Sequence, residues 1–213
     1  MKTLIATLLL SLCNAIAAPP FGLTPDSSLN FGLLGWWPMN ERSGTTTVDQ
    51  SGMGNTGQLT NSPAWMNGVV GAALSFNGTD QMVRVGNITN GLSGSFSAAC
   101  WAFPTFATNL VYQAVAVDRT VSAYRFGLGT YGVGKPLARA WTIGLYDGTS
   151  NPFIQVGDTN MLSRWTHICG VRDVGLAKLL LYTNGVLAAS VTDTSGSPGA
   201  YGLAFIGGQG NQS

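Results

Sequence analysis

The sequence predicts an all-β chain folded as a two-sheet antiparallel β-sandwich or jelly roll, and three observations carry that expectation. Charged residues make up only 9% of the 213 positions while glycine takes 29 of them, a turn-rich composition unlike that of a helical protein. Apolar residues recur with period two in short runs, and no helical period appears after the first twenty or so residues. Turns bearing Gly, Asn or Pro return about every ten residues, as they do between the strands of a sandwich. The length suits one such domain, which runs to roughly 200–250 residues. Formal net charge is +1, so there is no basic stripe of the kind that nucleic-acid binding requires.

Residues 1–18 read as a secretory signal peptide. Lys2 supplies the positive end, Leu4 to Leu12 the apolar core, and Ala15-Ile16-Ala17 an A-x-A cleavage site. An anchor on Cys13 is disfavoured because bulky Leu12 precedes it. The apolar run is shorter than the ~20 residues that span a bilayer. The expected product is therefore released, secreted or held at the cell surface, with no membrane span. Residues 19–30 are rich in Pro and Ser and form a linker, and a single domain occupies 31–213.

The domain opens with a strand at 33–41 (LLGWWPMNE), followed by the loop stretch DQSGMGN at 49–55. Asn40, Glu41 and Asp49 could form an acidic site, but Asp and Asn in such loops more often bond turn backbone. Strands follow at 69–76 and 81–85 around the turn Asn77-Gly78-Thr79-Asp80, then at 94–104 (GSFSAACWAFP). Asn77-Gly-Thr and Asn87-Ile-Thr are also glycosylation sequons. Short strands are expected at 111–117, 125–129, 141–146 and 153–156. A hairpin spans 164–188 (RWTHICGVRDVGLAKLLLYTNGVLA): Trp165, His167, Cys169 and Val171 alternate with Thr166, Ile168, Gly170 and Arg172, and Asn184-Gly185 tolerates positive φ at the closing turn.

Several of these stretches resemble one family. W-x-H-x-x-G-V-x-D followed by K-L-x-L-Y-x-N-G resembles the signature hairpin of laminin G-like domains, jelly rolls of the concanavalin A-like lectin and glucanase superfamily. W-P-M-N-E, D-x-S-G-x-G-N, G-x-A-L-x-F-N-G and F-S-x-x-x-W-x-x-P match further family motifs over residues 31–213, with Gln81 replacing a family Asp. The family also closes its fold with a final strand beside the opening one. The chain shows no such strand after I-G-G at 206–208, so the resemblance implies an unfilled slot, a fragment of a longer polypeptide, and further domains of that polypeptide as neighbours.

Pentraxins, relatives in the same superfamily, imply a disulfide between Cys100 and Cys169, worth about 4 kcal/mol on a chain-entropy estimate. Two reduced thiols are the other reading. They also imply a Ca²⁺ site mapping onto Asp118, Gln209 and Asn211, although amides and Gly stand where Ca²⁺ prefers carboxylates. Glucanases of the superfamily use two or more carboxylates on one strand, E-x-D-x-x-E. Here Glu41 is the single Glu, and Asp147 and Asp158 stand in separate turns, so the paired carboxylates of glycoside hydrolysis are not provided. The lone His167, on a strand face expected to be core, makes neither a zinc site nor a nucleophile pair. The reading is a non-catalytic extracellular recognition module whose partner is a carbohydrate, with Tyr131, Trp141 and Tyr146 as stacking residues. Trp101 is expected to be a core residue. The alternative is a structural or adhesive module acting on an extracellular protein.

Overall fold

The computed structural model describes residues 3–11, 32–86, 88, 93–105, 113–120, 123–131, 139–196 and 203–207, with backbone alone for 3–11, 113–120, 123–125, 131 and 203. The expected linker at 19–30 lies outside the described residues. Sixteen strands form among them: β1 Thr3–Ser11, β2 Leu33–Trp37, β3 Thr46–Thr47, β4 Gly57–Thr60, β5 Ala64–Asn67, β6 Ala72–Phe76, β7 Met82–Arg84, β8 Phe96–Pro104, β9 Gln113–Thr120, β10 Ala123–Tyr131, β11 Ala140–Leu145, β12 Phe153–Gly157, β13 Thr166–Asp173, β14 Lys178–Thr183, β15 Val186–Thr192 and β16 Leu203–Ile206. The strands expected between 111 and 156 are all present, each within a few residues of its expected limits.

The strands make two eight-stranded sheets. The first runs β15-β14-β13-β8-β1-β6-β5, with β2 also paired to β1; the second runs β12-β11-β10-β9-β16-β7-β4-β3. Neighbours are antiparallel throughout. Between β14 and β15, Asn184 (φ 50°) and Gly185 (φ 80°) both take positive φ, as a two-residue hairpin turn matched to strand twist requires.

The two sheets meet over a single apolar core. Trp37, Phe76, Phe96, Ile168 and Leu181 of the first sheet join Phe126, Leu128, Trp141, Ile143 and Ile206 of the second, and Phe96 meets Phe126 edge to face at 5.1 Å. Along β13 the even-numbered residues Thr166, Ile168, Gly170 and Arg172 are buried, while the odd-numbered ones are only half-buried. Gly170 marks the closest approach of the sheets: a Cβ there would lie 2.4 Å from Ile143 Cδ1 and 3.2 Å from Leu128 Cδ1.

Arg172, also on the inward face, is satisfied at the rim of the sandwich. Its Nε donates to Asp193 Oδ2 at 2.7 Å, both side chains being 3% exposed. Its remaining nitrogens donate to the carbonyls of Ser93, Ser195 and Gly196. Burial alone would raise the Asp193 pKa. The hydrogen bonds from Ser195 and Arg172 and the Arg172 charge outweigh it and hold the carboxyl below its ordinary value. The same loop is pinned from the second sheet's side, where Gly196 N donates to Asp147 Oδ2 at 2.6 Å.

The slot beside the opening strand, expected to be empty, is filled by β1. Thr3, Leu4 and Ile5 pair with Phe76, Ser75 and Leu74 of β6, and Leu8 to Ser11 pair with β2 from Trp37 back to Leu33. On its other flank β1 pairs with β8 from Pro104 to Ser97. The residues read as the apolar core of a leader are, in this structure, a central strand.

Gly170→Ala forces Ile143 and Leu128 aside in a closed interior and is expected to lower stability by about 1–3 kcal/mol in urea unfolding. Asp193→Ala strands the Arg172 charge and is expected to cost about 3–5 kcal/mol. Because the folded Asp193 pKa is depressed, its contribution is complete above about pH 4, the ordinary carboxylate value. It fades as pH falls through the lower folded value. The difference in melting temperature between wild type and Asp193→Ala should therefore shrink as the solution is acidified below that point.

Candidate functional site

Strand alternation sends one side of the first sheet's β8 and β13 out of the core, and that side is aromatic. On β8 the even-numbered residues Phe96 to Pro104 are buried, while Trp101 and Phe103 on the odd-numbered face are half-buried. The register pairs His167 with Trp101, and their rings meet at 5.3 Å and 62°. Two residues further along the strands, Trp165 packs against Phe103 at 5.3 Å and 56°. Across β14, Tyr182 stands opposite Cys169 and, on its other side, opposite Leu187, which is 48% exposed. The result is two aromatic rungs about 7 Å apart along the strands, flanked by a tyrosine and an exposed leucine.

His167 belongs to this outer strip and not to the core. Burial among the rings lowers its pKa from the ordinary value, so the imidazole is neutral at pH 7 and the strip carries no charge of its own. Trp101, expected in the core, is likewise on the outer face. Sequence reasoning missed Phe103 and Trp165 as site residues. The signal available was the odd-even register of Trp101 with His167 and Phe103 with Trp165, which places all four on one face once β8 and β13 are known to be neighbours.

The aromatic residues expected to stack on a ligand are placed differently. Trp141 is fully buried at 0% exposure, its indole N–H donating to Asp158 Oδ2 at 3.1 Å; its ring faces the opposite sheet and is not available to a ligand, which corrects that expectation. Tyr146 is half-buried and its hydroxyl donates to the Gly148 carbonyl at 3.0 Å. Tyr131 ends β10, and its side chain lies outside the described residues. These positions are not brought together with the outer strip of the first sheet, since β10 and β11 belong to the second.

The expected calcium residues are only partly in view. Asp118 lies in β9 opposite Phe126 and Ala204; its side chain, and Gln209 and Asn211 entirely, are outside the described residues. Among the described residues no three His, Cys, Asp or Glu side chains come together in a metal-binding group.

Every carboxylate whose side chain is described is engaged in shaping a loop. Asp49 accepts from the backbone N–H of Trp36, Ser51 and Asn55. Glu41 accepts from Thr47 Oγ1 and Val48 N, and Asn40 Oδ1 from Ala72 N, so these three hold turns in place. Asp147 accepts from the backbone of Ser150, Gly196 and Thr149, which holds its carboxyl far below the usual range. Asp158 joins Trp141, Asn160 and Arg164.

No disulfide joins Cys100 to Cys169, and the register gives the reason. Cys100 pairs with Ile168 and Cys169 with Ala99, so the first points into the core and the second to the outer face. Side chains directed to opposite faces cannot be bridged without moving backbone. The expected bridge is corrected accordingly. Burial pushes the Cys100 thiol well above its ordinary pKa.

Comparisons with known proteins agree with this architecture. Residues 77–213 match a laminin G family model described as the Concanavalin A-like lectin/glucanases superfamily. Among curated proteins no sequence matches. Among solved structures, domain 4 of AbnA, a GH43 extracellular arabinanase from Geobacillus stearothermophilus in complex with arabinotriose, is similar with a TM-score of 0.56 at 19% identity, over 76% of this chain and 77% of that one. The binding domain of Paraclostridial Mosquitocidal Protein 1 gives 0.60 at 14% identity, over 79% and 44%. The receptor binding domain of botulinum neurotoxin mosaic serotype C/D gives 0.53 at 11%, over 78% and 40%. The chain thus spans less than half of the last two of these domains, and at these identities the likeness is one of fold.

His167 is the single histidine, so its proton NMR titration is unambiguous. The midpoint is expected below the ordinary value of about 6.5, and Trp101→Ala, which opens the ring to water, is expected to move it back toward that value.

Proposed function

The chain belongs to the concanavalin A-like lectin/glucanase superfamily, and from that premise we propose that it is a non-catalytic recognition module for neutral carbohydrate, acting outside the cell. One observation carries the reading: the strip of Trp101, His167, Phe103 and Trp165 on the outer face of the first sheet. Half-buried rings held in fixed register offer apolar faces on which the C–H faces of sugar rings can stack at little entropic cost. The neutral imidazole adds a hydrogen-bonding group without adding charge. A near-neutral chain suits an uncharged ligand.

The arabinanase domain of similar fold is in complex with arabinotriose, so short arabino-oligosaccharides head the ligands to test. The described carboxylates, each tied into a loop, supply no flanking pair at the strip for glycoside hydrolysis. Stacking needs no metal, and Ca²⁺ at Asp118, Gln209 and Asn211 is not required by the proposal. A second reading, a contact module for an extracellular protein, draws on the exposed Val186 and Leu187 of β15, at 68% and 48%, an apolar edge open to a protein surface.

Isothermal titration against arabino-, xylo- and gluco-oligosaccharides separates the two. Binding is expected for at least one series and is expected to be the same in EDTA as in millimolar Ca²⁺. Trp101→Ala should weaken it at least about tenfold, equivalent to about 1.4 kcal/mol, and Tyr146→Phe should leave it unchanged. No heat from any oligosaccharide would turn the assignment to the protein-contact reading.

A further inference from the structure

The first sheet is held together through one strand. β1 is flanked by β8 on one side and by β6 and β2, end to end, on the other. Among the described strands, β2 has no other partner, and β6 pairs otherwise only with β5. Take β1 away and the sheet separates into β15-β14-β13-β8 and a remainder, with facing rows of backbone N–H and C=O groups left unpaired. Buried backbone of this kind must find partners, and an open row in mid-sheet is a template for an added strand.

The segment that fills the position, TLIATLLLS, carries no charge and no proline. It overlaps the stretch from Leu4 to Leu12 read as the apolar core of a leader. The two fates exclude each other: a segment lying in the sheet is withdrawn from export machinery, and a segment removed at Ala17 during export, before the domain folds, is lost to the sheet.

We infer that the position of β1 is a strand-acceptor site, which takes an uncharged extended polypeptide segment of about nine residues antiparallel to β8 and β2, with residues 3–11 as its occupant, exchangeable for the same segment offered in trans. Recognition is by backbone. Leu8 stands between Trp37 and Cys100, and Leu9 between Trp36 and Ala99, so both flanks read these positions. Proline at either removes a ladder hydrogen bond and is excluded from an inner strand.

The test uses the full chain with a specific protease site introduced between residues 12 and 31, cut after folding. The N-terminal piece is expected to stay bound through size-exclusion chromatography. A synthetic peptide of residues 3–11, extended by a solubilising Lys tail, is expected to displace it, and the same peptide with Leu8→Pro to do so at least tenfold less well. Separation of the piece on cutting, with the size and melting temperature of the remainder unchanged, overturns the inference. Equal displacement by both peptides also overturns it, because the association would then be apolar adhesion without strand pairing.

Discussion

The choice of which side of β13 faces inward governs most of what this molecule presents to its surroundings. Gly170 on that side lets Ile143 and Leu128 close down on the strand, which sets the local spacing of the sheets. Two positions on, Arg172 can be inside only because Asp193 neutralises it and the carbonyls of Ser93, Ser195 and Gly196 take its other donors. A buried guanidinium without those partners is costly by several kcal/mol. With Gly170 and Arg172 inside, Trp165, His167 and Cys169 must be outside, because side chains alternate across a pleated strand. The aromatic strip and the separation of the two cysteines are both consequences of that parity.

The neighbouring strand β8 transmits the same parity through register. Pairing His167 with Trp101 puts the tryptophan on the outer face, while Cys100 and Ala102 turn inward against the second sheet. β8 in turn requires a partner on its other flank, and β1 meets that need. Closure of the first sheet and exposure of the strip therefore rest on one set of backbone ladders. A ligand on the strip would contact side chains whose positions are set by strand pairing and not by loops, and such sites are the more rigid kind.

Much of this was legible beforehand, and the errors share a cause. The all-β class, the strands near 111–156 and the positive φ of Asn184 and Gly185 could all be read locally, since each depends on nearby residues; that Asn40, Glu41 and Asp49 bond backbone follows from residue type, although Asn40 reaches Ala72 and Asp49 reaches Trp36. On β13 a face of Trp, His, Cys and Val is more apolar than one of Thr, Ile, Gly and Arg, which places His167 in the core, and the family motif places Trp101 there. Hydropathy is a sound guide until an ion pair and a glycine reverse it. Trp141 departs in the opposite way: it is expected among the stacking aromatics, whereas Asp158, just after β12, satisfies its N–H and lets the whole ring be buried.

By itself, the sequence determined the class of fold, the strands from β6 to β14 and the family motifs at its two ends, because period-two patterning and turn chemistry act over a few residues. Tertiary structure alone decided which parity of β8 and β13 is buried, whether Cys100 and Cys169 can meet, and which segment fills the centre of the first sheet. Each of those outcomes is a register or a pairing between strands far apart in the chain, and two faces of one strand become distinguishable only when a second sheet covers one of them.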